Sequence, residues 1–139
     1  TRNPYAMTYR AATKIYSSSI SIEDRLTKAC EHWRNSMLAA INDSKHLENF
    51  FSVRFEDVVS NPANEISEIC DYLGLEFSTD MLPSPEDTLP FGGIRDNKWY
   101  PIRKNINDKY LEELSETQLY QINSELGELA SVFDYVKPC

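Results

Sequence analysis

Pro62 and Gly74 fix the two ends of a helix before the rest of the chain is considered. Proline at a first helical position loses nothing, because its missing N–H would be unpaired there, and Asn61 stands ahead of it as a cap. Ile66, Ile69, Cys70 and Leu73 recur at helical spacing, and Gly74 is free to take the left-handed conformation that stops a helix. Just upstream, Phe51, Val53 and Phe55 alternate with Ser52, Arg54 and Glu56, the two-residue period of a half-buried strand. The stretch from Phe50 to Leu75 thus predicts a strand over residues 50–55, a short acidic turn closed by Val58 and Val59, and a capped helix.

The flanks predict further helices. Tyr5 to Tyr16 follows Pro4 as a short one. Ser21 and Asp24 open a long one running to about Asn42, with Ile22, Leu26, Ala29, Cys30, Trp33, Met37, Leu38 and Ile41 as its apolar stripe. His32 and Trp33 in that stripe read as core residues. Tyr110 to Leu114 predicts a short helix, and Ser115 caps a last one from Glu116 to about Phe133. Pro83, Pro85, Pro90, Gly92 and Gly93 forbid a long regular element between Gly74 and this end. Arg95, Lys98, Arg103 and Lys104 then place four cations around Trp99 in the twelve residues from Ile94 to Asn105.

Charge narrows the partners. With 22 acidic against 14 basic residues the net charge is −8, which argues against a broad nucleic-acid or anionic-membrane surface and leaves room for one small basic pocket. No run approaches the roughly 18 apolar residues of a membrane span, and TRNPYAMTYR contains no signal-peptide core. Cys30, Cys70 and Cys139 are scattered without CxxC spacing, and His32 and His46 are the histidines available beside them, so no metal site is expected. Thiols on apolar helix faces behave as small hydrophobes, which favours a reducing, cytoplasmic setting.

Catalytic constellations are missing from this pattern. Neither histidine sits in a motif that would orient it as a base, and Glu56 and Asp57 would point to opposite faces of a strand. No GxxxxGK[ST] or GxGxxG loop cradles a diphosphate. What the residues offer is an anion site made of arginines and aromatics.

Three blocks taken together resemble the sulfotransferase family, which moves a sulfuryl group from 3′-phosphoadenosine 5′-phosphosulfate (PAPS) to an acceptor. Arg2-Asn3-Pro4 is similar to the family's Arg-Asp/Asn-Pro turn at the end of a parallel strand. VRFEDVVSNPANEISEICDYLGLEF resembles its V-R-Y-E-D-L segment with the following proline and I-x-x-F-L-G-L-x-F. Lys98-Trp99, a helix, and an ending near Asp134-Tyr135 are similar to its basic-Trp motif and terminal helix.

The resemblance implies an α/β fold related to P-loop kinases, with the nucleotide at the carboxyl ends of parallel strands. It gives Arg2 the 3′-phosphate, and puts Arg10 where the family has a phosphate-binding serine, with Thr8 as a substitute hydroxyl. It places Phe55 against the adenine, and Arg95 and Lys98 in the basic loop over the 3′-phosphate, while Arg103-Lys104 follows the tryptophan in the wrong order for that loop. Glu56 and Asp57 become scaffold carboxylates.

The family's 5′-phosphosulfate loop and its catalytic base both precede the Arg-Asn-Pro turn. Residues 1–139 are therefore expected to be the C-terminal half of one sulfotransferase domain, mostly helical with one parallel-type strand, without a catalytic residue and without a metal. The expected partners are PAPS or its product PAP, an acceptor hydroxyl or amine on a small molecule or glycan, and the upstream half of the same domain. Two alternatives stay open: a non-catalytic helical partner module derived from the same scaffold, and part of another P-loop-type nucleotide enzyme.

Overall fold

The computed structural model describes residues 1–82, 102 and 104–138. Its elements are helices: α1 Pro4–Lys14, α2 Ile22–His46, α3 Phe55–Ser60, α4 Pro62–Leu73, a 3-10 turn at Thr79–Met81, α5 Asp108–Glu112 and α6 Glu116–Ser131. They fall into two compact units, Thr1–Ser52 with Asn105–Cys139, and Val53–Lys104.

In the first unit α1 packs on α2, α5 and α6, and α2 on α6. Each long helix starts where its side chains satisfy its own backbone. Asn3 Oδ1 accepts from the Ala6 N–H at 3.1 Å ahead of Pro4, and Ser21 Oγ accepts from the Asp24 N–H at 3.0 Å. Ser115 and Gln118 form a reciprocal capping box at 3.3 and 3.0 Å. Glu23 and Asp24 in the first turn of α2, with Lys45 and His46 in its last, also oppose the helix dipole, which helps carry it four residues beyond the expected Asn42.

The core of this unit is Tyr5, Ala12, Leu26, Cys30, Trp33, Ile122, Leu126, Ala130 and Tyr135, with the edge of Trp33 against Phe133 at a centroid separation of 6.2 Å. The expected stripe of α2 is therefore real, with two corrections: His32 is exposed and Leu38 is half exposed. Each sits one residue from a packed neighbour, Trp33 or Met37, and one residue turns the helix by about 100°, off the buried azimuth.

Polar contacts clamp the same faces. Arg34 Nη2 donates to the Glu125 carbonyl at 3.0 Å and pairs with its carboxylate at 3.4 Å, and Gln121 Nε2 donates to the Glu23 carbonyl and to Thr27 Oγ1. Arg25 Nη1 donates at 2.7 Å to the Ala12 carbonyl, one of the acceptors that the end of α1 leaves without a helical partner. Beyond α6, Asp134 takes a left-handed φ of 59° and the Tyr135 N–H returns to the Ala130 carbonyl at 3.1 Å. That reversal carries the Tyr135 ring into the core.

In the second unit, α4 runs from Pro62 to Leu73 as expected, and Gly74 ends it at φ 68°, ψ 30° with the Leu75 N–H on the Cys70 carbonyl at 2.8 Å. Asn61 occupies the cap position, but its side chain makes no capping bond.

The strand expected over residues 50–55 is not formed. Residues 50–54 lie outside regular structure and Phe55 is the first residue of α3. Arg54 keeps an extended ψ of 132°, yet among the described residues no neighbouring strand is formed for it to pair with. Phe55, Val58 and Val59 also satisfy the i, i+3, i+4 spacing of a helix, and Glu56 and Asp57 are favourable in a first helical turn. The regular elements among the described residues are all helical. They fit a fragment of the expected fold without showing an α/β sheet. No helix among them is long and apolar enough to cross a membrane.

Candidate functional site

Among the described residues, Arg2 is a cation held through both its side chain and its backbone. It lies just ahead of Asn3 and α1, where backbone N–H groups face out of the helix start. Its Nη2 and Nε both donate to Asn107 Oδ1, at 2.9 and 3.3 Å. Its backbone carbonyl accepts from Trp33 Nε1 at 3.1 Å. Side chain and main chain are thus held separately, one from the start of α5 and one from the middle of α2.

Asn107 occupies the N-cap position of α5 and makes no capping bond. An asparagine there ordinarily spends its oxygen on the N–H groups of the first turn; this oxygen faces a guanidinium instead. Asn107 is 7% exposed, so the contact is sheltered from water. Thr1 Oγ1 and Tyr135 Oη share a hydrogen bond of 3.2 Å, which ties the start of the chain to the turn after α6.

Arg10 is exposed on α1, seven residues past Asn3 and so roughly 10 Å further along the axis. Thr8 does not present a hydroxyl: it is buried, and Oγ1 donates to the Pro4 carbonyl at 2.6 Å within the helix. Its expected role as a substitute for serine is therefore corrected, since the hydroxyl hydrogen is spent one turn back.

Phe55 belongs to the second unit, half-buried at the first position of α3. Beside it Arg54 Nε lies 3.7 Å from Asp57 Oδ2, an i, i+3 pair in which Asp57 serves the helix start. Arg95, Lys98, Trp99 and Arg103 lie outside the described residues.

A cleft of about 650 Å³ in the first unit is lined by residues that include Tyr5, Asn123, Gly127, Glu128, Tyr135 and Lys137, and neither Arg2 nor Arg10 borders it. In its wall Tyr5 Oη donates to Asn123 Oδ1 at 2.8 Å, and burial raises the Tyr5 phenol above its ordinary range. Tyr9 is raised too, first by burial and then by the Glu113 carboxylate. Cys30 and Cys70 are buried free thiols. No group of three or more His, Cys, Asp or Glu side chains among the described residues is arranged to hold a metal ion.

Trp33 and Asn107 are the partners of Arg2 that the sequence pattern did not single out. Trp33 carried a signal only for burial. Asn107, in the turn Asn105-Ile106-Asn107-Asp108, carried only a signal for a helix start.

Residues 1–79 match the model of a family described as the sulfotransferase family. The match spans more than half of the chain and takes in both Arg2-Asn3-Pro4 and the segment from Val53 to Phe77. No curated protein and no solved structure matches the chain.

Proposed function

The chain belongs to the sulfotransferase family, and on that premise we propose that it forms the 3′-phosphate and adenine side of a site where the sulfuryl group of PAPS passes to an acceptor hydroxyl or amine. The observation that carries this reading is the fixing of Arg2 at the start of α1, by Asn107 on its side chain and Trp33 on its carbonyl. A guanidinium held ahead of a helix N-terminus meets a phosphate with parallel N–H donors and with the positive end of the helix dipole on the same side.

Arg10 takes the place of the family's serine with a longer, charged side chain, which reaches an anion from further along α1. Phe55 is the residue offered to the adenine ring, as a half-buried aromatic at the start of α3. Arg95 and Lys98 are the cations assigned to the loop over the 3′-phosphate. Transfer itself is in-line attack of the acceptor on sulfur, favoured by orientation and by cations that meet charge as it develops on the sulfuryl oxygens. The groups named here bind and orient the nucleotide. None of them is assigned as the base.

Calorimetry of the full-length protein with adenosine 3′,5′-bisphosphate (PAP) and with AMP tests the reading, because the two differ by the 3′-phosphate. PAP is expected to bind tighter, and Arg2→Gln to remove the difference. Equal affinities in the parent protein would end the assignment of Arg2 and Arg10.

A further inference from the structure

We propose that Met81 is an oxidation site that guards Cys70: its exposed thioether covers the buried thiol, and conversion to the sulfoxide uncovers it.

The geometry supplies the pair. Cys70 stands in the last turn of α4 and is 4% exposed, while Met81 closes the 3-10 turn at Thr79–Met81 and is 48% exposed. The Cys70 thiol donates to Met81 Sδ at 3.6 Å, a weak donor on a weak acceptor. Both residues belong to the second unit, 11 positions apart, so this contact folds the chain beyond Gly74 back onto α4. One sulfur faces solvent and shields the other.

That difference in exposure decides which sulfur a peroxide meets first. A thiol must ionise and be reached before it reacts, and Cys70 is covered; a thioether needs no ionisation, and Met81 is open. A lone pair on Sδ attacks one oxygen of hydrogen peroxide, the S–O bond forms and the O–O bond breaks. The proton on the attacked oxygen passes to the leaving oxygen, which departs as water. Met81 loses two electrons and the peroxide gains them. Met7 and Met37, the other two methionines, pack against the core of the first unit and are less open to this attack.

The product no longer suits its place. A sulfoxide is polar and its oxygen seeks strong donors, whereas the group it faces on α4 is a thiol. The turn that holds it is short, with the Met81 N–H on the Ser78 carbonyl and the Leu82 N–H on the Thr79 carbonyl, both at 3.0 Å. So small a turn opens at low cost, so the sulfoxide turns towards water and the cover lifts from Cys70.

The test treats the full-length protein with hydrogen peroxide, then with catalase and dithiothreitol, which return sulfenic acids and disulfides to thiols and leave the sulfoxide in place. Iodoacetamide labelling of each cysteine is then followed by peptide mass spectrometry. Met81 should gain one oxygen before Met7 and Met37. Cys70 should label about tenfold faster than in untreated protein, with Cys30 unchanged. Methionine sulfoxide reductase should restore the slow rate in the same sample. Met81→Leu covers Cys70 without a sulfur, so its Cys70 should label slowly with or without peroxide. Met81→Gln places a polar group there from the start and should label fast untreated, with thermal melts confirming that both variants fold.

Slow labelling of Cys70 in protein whose Met81 is fully oxidised would overturn the proposal. So would an equal acceleration by peroxide in Met81→Leu, or oxidation of Met7 or Met37 ahead of Met81.

Discussion

The indole N–H of Trp33 donates to the backbone carbonyl of Arg2 at 3.1 Å, across 31 residues of sequence. The same ring stands edge-on to Phe133, so one side chain in the middle of α2 joins the candidate phosphate arginine to the turn after α6.

Trp33→Phe keeps an aromatic ring and deletes that donor. It should lower stability by about 2 kcal/mol, from the lost hydrogen bond and the space left by the smaller ring. Denaturant midpoints would measure this. PAP affinity should fall with it, since the backbone from which Arg2 reaches is no longer held. A variant as stable as the parent would show that the contact carries no weight.

Local chemistry was legible in the sequence wherever a residue acts on its own neighbours. Pro62, Gly74, Ser21 and Ser115 mark helix ends because each cap closes within about five residues, and the structure has all four in those roles. The strand over 50–55 was not legible, because Phe55 completes the alternation of Phe51 and Val53 and equally the helical spacing with Val58 and Val59, and a strand is decided by a partner elsewhere in the chain. The candidate site divides the same way. Arg2 stood out in its Arg-Asn-Pro turn, but its contact to Asn107 spans 105 residues, and no spacing rule reaches that far. Arg95 and Lys98 rest on the sequence alone.

The thiol of Cys30 is fully buried and its pKa is pushed up to about 12, chiefly by loss of water and further by the Glu125 and Glu31 carboxylates, against an opposing pull from Arg34. In the unfolded chain the thiol ionises near its ordinary value, so above that pH only the unfolded state releases the proton. The stabilisation is complete below pH 8 to 9 and is lost as pH rises towards 12. Between pH 8 and 10 the protein should lose about 1 to 2 kcal/mol from this group. Denaturation across that range should show the slope in the parent chain and a flatter one in Cys30→Ala. Identical slopes would remove Cys30 as the cause.

Asp134 and Gly74 reverse the chain after their helices alike, with left-handed φ values of 59° and 68° and the N–H of the next residue, Tyr135 or Leu75, turned back to a carbonyl five residues earlier. Only one of them is a glycine. Asp134 bears the strain of its Cβ in that conformation and puts a negative charge at the negative end of α6. Asp134→Gly should therefore stabilise the protein by about 1 kcal/mol, and Gly74→Asp should destabilise it by a similar amount. Thermal melts of the two variants should shift in opposite directions; a fall in the first would mean that the aspartate side chain repays its strain locally.

Gly127 shows how a missing side chain sustains a hydrogen bond one turn away. A Cβ at position 127 would lie 3.0 Å from Asn123 Oδ1 and 3.3 Å from its Cγ, too close unless Asn123 moves. Asn123 has little freedom to do so, because that oxygen accepts from Tyr5 Oη at 2.8 Å and Tyr5 is fully buried in the core. In an ordinary helix interior Gly→Ala gains about 1 kcal/mol from propensity. Here the gain competes with a buried phenol left without its acceptor, which costs about 1 to 3 kcal/mol. The cost should win, so Gly127→Ala should destabilise by about 1 kcal/mol. With Asn123→Ala already in place there is no amide to displace, and the same substitution should then stabilise by about 1 kcal/mol. The sign reversal in a double-mutant cycle is the test. A substitution that stabilises in both backgrounds would show that Asn123 can shift and still receive the Tyr5 hydroxyl.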